Sequence, residues 1–369
     1  MKGGYLNMNE TPLARLEAGL TAQGLDAALI TDPKHIYYLT GFASNPHERF
    51  LGLVLTPGQE PLLIVPALDA DDAAAASSVK NIATHSDTDN PYSLLHRYQG
   101  QIKTMGLEKD YVTVSRYEQL TAALGSVEFA DIGSLLRSLR VKKTPEEVTR
   151  IRRAIALIEE VLTQGLSHVR AGVTEIELVA EMEYRMKKLG ADIPSFDTMV
   201  LSGPKTGLPH GTPGERKLQH GDLLMFDMGV YAGGYASDIT RTFAFGTISP
   251  QLKKMYDTVL EANLAAIRVA KPGLPCADVD RAAREIIEAA GYGERFVHRV
   301  GHGLGLDIHE YPSLHAQNQD PLQEGCVFTI EPGIYMAGVG GVRIEDDVIV
   351  TSNGVEVLTS YPKGLQILG

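Results

Sequence analysis

Two aspartates, Asp227 and Asp238, interrupt the stretch "MFDMGVYAGGYASDITRTF" (225–243), which otherwise reads as a half-buried β-hairpin. A tight turn centred on Ala232-Gly233 sets them directly across from each other on one face, with Cβ atoms about 4.5–5.5 Å apart. Two ionised carboxylates held that close repel, and burial penalises both. A proton on one of them, an arginine between them or a bound cation resolves the conflict. The same problem then recurs, because a turn near Gly338 sets Glu331 opposite Glu345. One acid in a strand is ordinarily a solvated or turn residue. Two such pairs make divalent cations the simplest answer.

Histidines lie where such a site needs them. "RVGHGLGLDIHE" (299–310) carries His302 and His309, and Gly301, Gly303 and Gly305 let backbone approach closely. A neutral imidazole completes an oxygen-rich site suited to Mn, Co or Zn. His302 is the preferred ligand, with His309 as a catalytic group and His298 lining the pocket. His210 sits in the Gly/Pro loop "SGPKTGLPHG", and loops on a rigid scaffold often carry function. In "GVRIEDDVIV", Arg343 lies two residues before Glu345 and points to the same strand face. Arg343 either balances the acids or holds a substrate carboxylate. Asp346 and Asp347 are expected to cap or solvate that strand, or to orient a ligand. The glycines around Gly301 are not a dinucleotide fingerprint, since no early strand-to-helix unit surrounds them.

An internal repeat positions these residues. "AGVTEIELVAEMEYRMKKLGAD" from Ala171 parallels "PGLPCADVDRAAREIIEAAGYG" from Pro272. Gly172 and Gly273 each precede a capped helix, and Gly190 and Gly291 end those helices. Each copy then carries a histidine, His210 or His309, and a strand pair with two acids. Two similar halves facing each other would bring the four acids together. Upstream, "TPEEVTRIRRAIALIEEVL" opens on a capping box at Thr144 and Glu147, with Val148, Ile151, Ile155, Ile158 and Leu162 on one face. A new domain is expected to begin near there, giving domains at 8–138 and 139–369. The first is a mixed α/β unit. "TPLARLEAGLTAQG" reads as a helix, "DADDAAAASSV" as a short helix or loop, and "DAALIT", "IYYLTG", "FLGLVLTPGQEPLLIVP" and "YVTVS" as strands.

A chain of 369 residues exceeds what one core usually organises, and 44% hydrophobic with 22% charged residues is a globular composition. The net charge of −12 opposes non-specific nucleic-acid binding. No apolar run reaches a membrane span. The start "MKGGYLNMNE" lacks an apolar signal core and reads as a tag or an upstream start ahead of Met8. Cys276 and Cys326 are expected as ordinary buried thiols of a cytoplasmic protein.

The ordered set Asp227, Asp238, His302, Glu331 and Glu345, with "HGLGLDIHE" and "EPGIY" around it, resembles the pita-bread metallopeptidases: prolidase, aminopeptidase P and methionine aminopeptidase. The resemblance covers nearly the whole chain. It implies an α+β fold with a pseudo-two-fold pita-bread domain after a smaller creatinase-like N-terminal domain. That first domain points to prolidase or aminopeptidase P. Creatinase shares the fold without the metal acids. Catalytically silent relatives that bind other macromolecules are expected to lack ligands that are all present here. By resemblance the five residues hold two divalent ions, Mn first and Co or Zn next, which turn a bridging water into the attacking hydroxide. Glu331 shuttles its proton to the proline nitrogen. His309 and His210 contact the carbonyl and the tetrahedral oxyanion, and Arg343 joins them and Glu331 in the implied catalytic set. His298, Arg343, Tyr231 and Arg49 form the substrate-binding set. The substrate is an Xaa-Pro dipeptide or, in the alternative, a longer Xaa-Pro peptide.

One departure bears on that choice. Some prolidases place an arginine after "HE-x-P", where it helps hold the dipeptide carboxylate, and here Ser313 stands there. Arg343 alone, or Arg49 from the N-terminal domain of the other subunit of a homodimer, is expected to take over. Asp32 and His35, in "TDPKHIYYLTG", are placed in another pocket loop.

Overall fold

The computed structural model describes residues 11–369. The stretch read as a tag or upstream start lies outside the described residues, as do the first residues of the expected N-terminal domain. The chain divides after Arg140 into two compact units. Among the described residues no helix is long and apolar enough to cross a membrane.

The N-terminal unit is built on a six-stranded sheet. Its spatial order is Ile82–His85, Leu62–Pro66, Gly52–Leu55, Ala27–Ile30, Thr104–Leu107 and Glu128–Asp131. Gly52–Leu55 runs against both neighbours and the other pairs are parallel. The central strands are apolar throughout because both faces are covered. Ala28, Ile30, Leu53 and Leu63 pack into one core with Leu16 and Leu20, while Leu29, Val54 and Ile64 pack into another with Leu120.

Two strands expected here are helices. "IYYLTG" belongs to the helix Pro33–Thr40, because Asp32 caps it by accepting from the Lys34 N–H, Pro33 opens it and Gly41 closes it in the left-handed region. "YVTVS" is a turn and then a helix start, with Thr113 capping Val114–Leu124. In both, a capping side chain overrides the β-propensity of the tyrosines and valines.

The C-terminal unit repeats one motif. The first copy has helices Pro145–Gly165 and Glu175–Lys188, then strands Met199–Ser202, Leu223–Met228 and Ile239–Phe245. The second has helices Pro250–Val269 and Cys276–Ala289, then Gly301–Gly303, Val327–Ile330 and Asp346–Thr351. Each copy has its own core between helices and sheet. The glycine pairs match in conformation, with φ of 80° and 79° at Gly172 and Gly273, and 91° and 87° at Gly190 and Gly291. Their hydrogen bonds match too: the Gly172 N–H donates to the Leu218 carbonyl and that of Gly273 to the Leu322 carbonyl, both at 2.9 Å.

One expectation fails within this symmetry. Thr174 caps the first short helix in a full capping box, but the second opens at Pro275 with no side-chain cap. Backbone carbonyls of Asp320 and Asn318 accept its first N–H groups instead. Cys276 and Cys326 are buried free thiols, as expected.

Candidate metal centre and substrate pocket

Three of the four acids sit where the hairpin strands break, while Asp227 lies within the strand Leu223–Met228. In the first copy the strand Leu223–Met228 is followed by a short outer piece, Val230–Ala232, and the return runs through Tyr235–Ala236 into Ile239–Phe245. Asp238 occupies the return break. Gly229 sits at the other, where an added Cβ would meet the Ser237 carbonyl oxygen at 2.0 Å. In the second copy Glu331 falls between Val327–Ile330 and Gly333–Met336, and Glu345 between Gly340–Arg343 and Asp346–Thr351.

The first hairpin is offset from expectation. Its turn is Gly233-Gly234, both at positive φ, so Asp227 faces Thr240 rather than Asp238. Two glycines suit the tight turn that matches strand twist, and they carry the turn one residue beyond the expected centre. The second ladder pairs Gly333 with Arg343, and this register continued outward sets Glu331 against Glu345, as expected.

The two copies meet along these acids. Thr240 accepts the Glu345 N–H at its carbonyl, at 3.2 Å, and its hydroxyl donates to Glu345 Oε2 at 2.7 Å. Donor atoms of Asp238, His302 and Glu345 all lie within 4.8 Å of one another. His302 Nε2 is 3.6 Å from Asp238 Oδ2 and 3.4 Å from Glu331 Oε1. The other ring nitrogen, Nδ1, is 3.1 Å from the Gly303 carbonyl. A carbonyl only accepts, so Nδ1 carries the proton and the Nε2 lone pair faces the carboxylates.

The electrostatics of this cluster are unresolved by protein groups alone. Burial, then Glu345 and Asp227, push the Asp238 carboxyl well above its usual range. Burial, then Glu331, does the same to Glu345. Burial raises Glu331 to about 7. Burial, then His309, lowers His302 to about 3, so its imidazole stays neutral. Asp238 Oδ1 is buried with no hydrogen-bond partner. Crowded carboxylates, a neutral lone pair aimed at them and an orphaned buried oxygen are the donor set a divalent cation requires, so these residues fit the expected metal.

Arg343 is committed to the cluster. Its guanidinium bonds Asp227 through NH2, Thr240 Oγ1 through Nε at 3.0 Å and the Tyr335 hydroxyl through NH1 at 2.8 Å. Burial opposes its charge, but Asp227 beside it holds it protonated well past its usual range. Of the two roles left open by the sequence, this geometry matches the balancing of acids. Tyr335 in turn donates to His298 Nε2 at 2.9 Å, since His298 Nδ1 is engaged by the Arg299 carbonyl. Burial lowers His298 to about 4.

Asp346 and Asp347 are not solvated strand residues; both are fully buried. Burial works against charge on Asp346, yet Arg241 and Lys363 outweigh it and hold its carboxyl below the ordinary range. Asp347 Oδ2 accepts the Asp238 N–H at 3.1 Å and so fixes the segment carrying that acid.

A pocket of about 420 Å³ opens over the cluster. All five expected ligands line it, with His210, His298, His309 and Arg343. Burial, then Arg299, lowers the His309 imidazole, whose ring lies 4.1 Å from that of His302. Phe196, Pro209, Ile308 and Arg299 also line the pocket and were not picked out from the sequence. Arg299 precedes His302 in "HRVGHG", and its charge next to the glycine-histidine run was the available signal.

Tyr231 is not among the lining residues; it pairs with Ala236 and Ile193 in a small outer sheet. Arg49, in the N-terminal unit, forms a two-point pair with Asp87 at 2.7 and 3.0 Å. Asp32 and His35 are not on a loop: Asp32 caps the helix that contains His35, and His35 bonds Glu108.

Residues 149–352 match metallopeptidase family M24, and residues 12–142 match the creatinase/prolidase N-terminal domain. The chain belongs to family M24, and its fold is the pita-bread arrangement of a creatinase-type N-terminal domain and a metallopeptidase domain. It is 44% identical over 360 residues to the Bacillus subtilis protein "Putative dipeptidase YkvY", covering 96% of this chain and 99% of that one. Among solved structures it is similar to an Xaa-Pro dipeptidase from Bacillus anthracis (36% identity, 97% and 99% of the two chains, TM-score 0.91). An X-Pro aminopeptidase from Thermotoga maritima is also similar (34%, 94% and 98%, TM-score 0.86).

Proposed function

We propose that the protein hydrolyses Xaa-Pro peptide bonds, with dipeptides as the first substrates, as a homodimer in the cytoplasm. The observation that carries this reading is the convergence of Asp227, Asp238, His302, Glu331 and Glu345 at the floor of one pocket. In this reading those five residues hold two divalent ions, Mn first and Co or Zn next. The ions supply Lewis acidity at the scissile carbonyl and activate the water that hydrolysis consumes.

The chain's own groups do the rest. Glu331, which lines the pocket beside those ligands, takes a proton from that water and returns it to the departing proline nitrogen. The neutral imidazole of His309, with His210 in the same pocket lining, donates to the carbonyl oxygen as negative charge develops there. Arg343 holds the Asp227 carboxylate in place through its NH2 group. The His298–Tyr335–Arg343 chain holds that guanidinium. Phe196, Pro209 and Ile308 supply the apolar wall that a pyrrolidine ring packs against.

A second reading, removal of the first residue from longer Xaa-Pro peptides, is favoured by the near-equal likeness to the Thermotoga aminopeptidase. Gly-Pro and Leu-Pro assayed beside Leu-Pro-Gly, with Mn, Co or Zn added in turn, separates the two. Faster turnover of the dipeptides supports the first reading. Hydrolysis of the tripeptide alone supports the second, and no cleavage of any with any metal defeats both.

A further inference from the structure

A dipeptidase must recognise a free carboxylate one residue beyond the scissile bond, and three arginines are candidates. Arg343 has each of its nitrogens engaged by Asp227, Thr240 and Tyr335 and is 5% exposed. Arg49 is paired with Asp87. Arg299 differs from both. It lines the pocket beside His309 and Glu331, and its charge is felt at both. Among the described residues no carboxylate lies within ion-pair distance of it, and its guanidinium makes one hydrogen bond, from NH1 to Ser313 Oγ at 3.0 Å.

That single bond is well supported. Ser313 is paired with His302 across the sheet, and its carbonyl accepts from Asn318 Nδ2 at 2.7 Å. Ser313 therefore anchors one corner of the guanidinium on the strand beside the metal-ligand candidate. The Nε and NH2 edge is left without a protein acceptor. Two parallel N–H groups on one edge are the donor pair that a carboxylate takes in bidentate fashion. An arginine at 313 would set a second guanidinium against the first. Serine gives Arg299 an acceptor instead, so the absence of an arginine at 313 and the presence of a free guanidinium edge are one arrangement.

We propose that Arg299, oriented by Ser313, grips the C-terminal carboxylate of the dipeptide and sets the preference for dipeptides. The inference rests on the Xaa-Pro reading above. Arg299 is a specificity-determining residue, and Ser313 a positioning residue that acts through it.

The test uses the Mn-loaded full chain with Leu-Pro and its C-terminal amide. Arg299→Ala raises KM for Leu-Pro by about 10- to 100-fold, as for loss of a charge-assisted hydrogen bond, and leaves kcat within about threefold. KM for the amide changes by less than about twofold, and Arg299→Lys recovers part of the loss. Ser313→Ala raises KM for Leu-Pro by about threefold, again sparing the amide. Equal shifts on acid and amide, or none, overturn the proposal.

A second arm needs no turnover. A Leu-Pro analogue with methylene in place of the scissile carbonyl is titrated calorimetrically into the Mn-loaded wild type and Arg299→Ala. Weaker binding of the acid form alone supports the grip, and unchanged binding overturns it. If the wild type cleaves no Xaa-Pro peptide, the functional reading fails by itself while this arm still decides Arg299. No binding of the acid form to the wild type overturns the Arg299 proposal as well.

Discussion

Asp32, His35 and Glu108 in the N-terminal unit, and Asp238, His302 and Glu345 in the C-terminal unit, each bring two carboxylates and an imidazole within 4.8 Å. Counted by ligand type the clusters are equivalent. Their surroundings are opposite. His35 Nε2 lies 2.8 Å from Arg140 NH1, and arginine only donates, so that nitrogen accepts and the ring proton on Nδ1 points at Glu108. Glu108 also accepts the N–H groups of Thr31 and Asp32, at 2.6 and 3.0 Å. Asp32 caps its helix. The imidazole lone pair of His35 and both oxygens of Glu108 already have protons facing them. In the C-terminal cluster His302 presents a bare lone pair to the acids, and Asp238 Oδ1 has no partner. A metal site is therefore marked by unmet electrostatic demand rather than by the identity of its donors.

The contrast breaks if both clusters respond to metal alike. The largest effect is expected at the C-terminal one: Asp238→Asn or Glu345→Gln lowers kcat/KM by about 10³-fold or more and removes bound metal, read by elemental analysis of the purified protein. Glu108→Gln leaves the metal content unchanged; loss of metal in that variant would erase the distinction.

Glu108→Ala tests the other side. It strands the Thr31 and Asp32 N–H groups and the His35 ring proton, so it destabilises the N-terminal unit by about 3 kcal/mol. Hydrogen exchange of residues 27–40 reports the loss, while metal stoichiometry stays at the wild-type value.

Metal removal sharpens the contrast through pH. Without the ions, the folded state holds Glu331 near 7 and Asp238 and Glu345 well above the ordinary range, whereas the unfolded chain does not. Raised folded values mean stability that is full below the unfolded pKa and is lost as pH rises through the folded one. Chelated protein is thus expected to melt about 5 °C lower at pH 8 than at pH 5, and saturating metal to abolish that fall. A chelated protein that melts higher at pH 8 would contradict the electrostatic account.

The smallest effect belongs to the seam. Thr240→Val removes the hydroxyl that donates to Glu345 and accepts from Arg343 Nε, and kcat/KM drops by about tenfold with metal still bound. Steady-state kinetics on the metal-loaded variant measures it.

Much of the site could be read from residue order. The four acids and one imidazole stand out because each type is costly in a strand, and the glycines that bracket the repeat helices keep matching backbone angles. What escaped the sequence was set by contacts distant along the chain. The Gly233-Gly234 turn lies one residue beyond the expected centre and slides the pairing by two residues, from Asp238 to Thr240 opposite Asp227, which strand propensity does not register. Asp346 looked like a strand-end acid until Arg241 and Lys363 reached it across the fold. "IYYLTG" has strand-forming residues, but the Asp32 cap and Gly41 stop decide for helix. Arg299 gained meaning only once Arg343 proved to be committed to Asp227.

The join between the two copies has a further consequence. Asp227 and Asp238 precede the turn at residues 246–249, and His302, Glu331 and Glu345 follow it. Thr240 and Thr242 bond Glu345 and Arg343 across the join. A chain cut in that turn would divide the candidate ligands between two fragments, neither carrying all five. Their recombination would be scored directly by the return of peptidase activity, making the site a reporter of complementation between the halves.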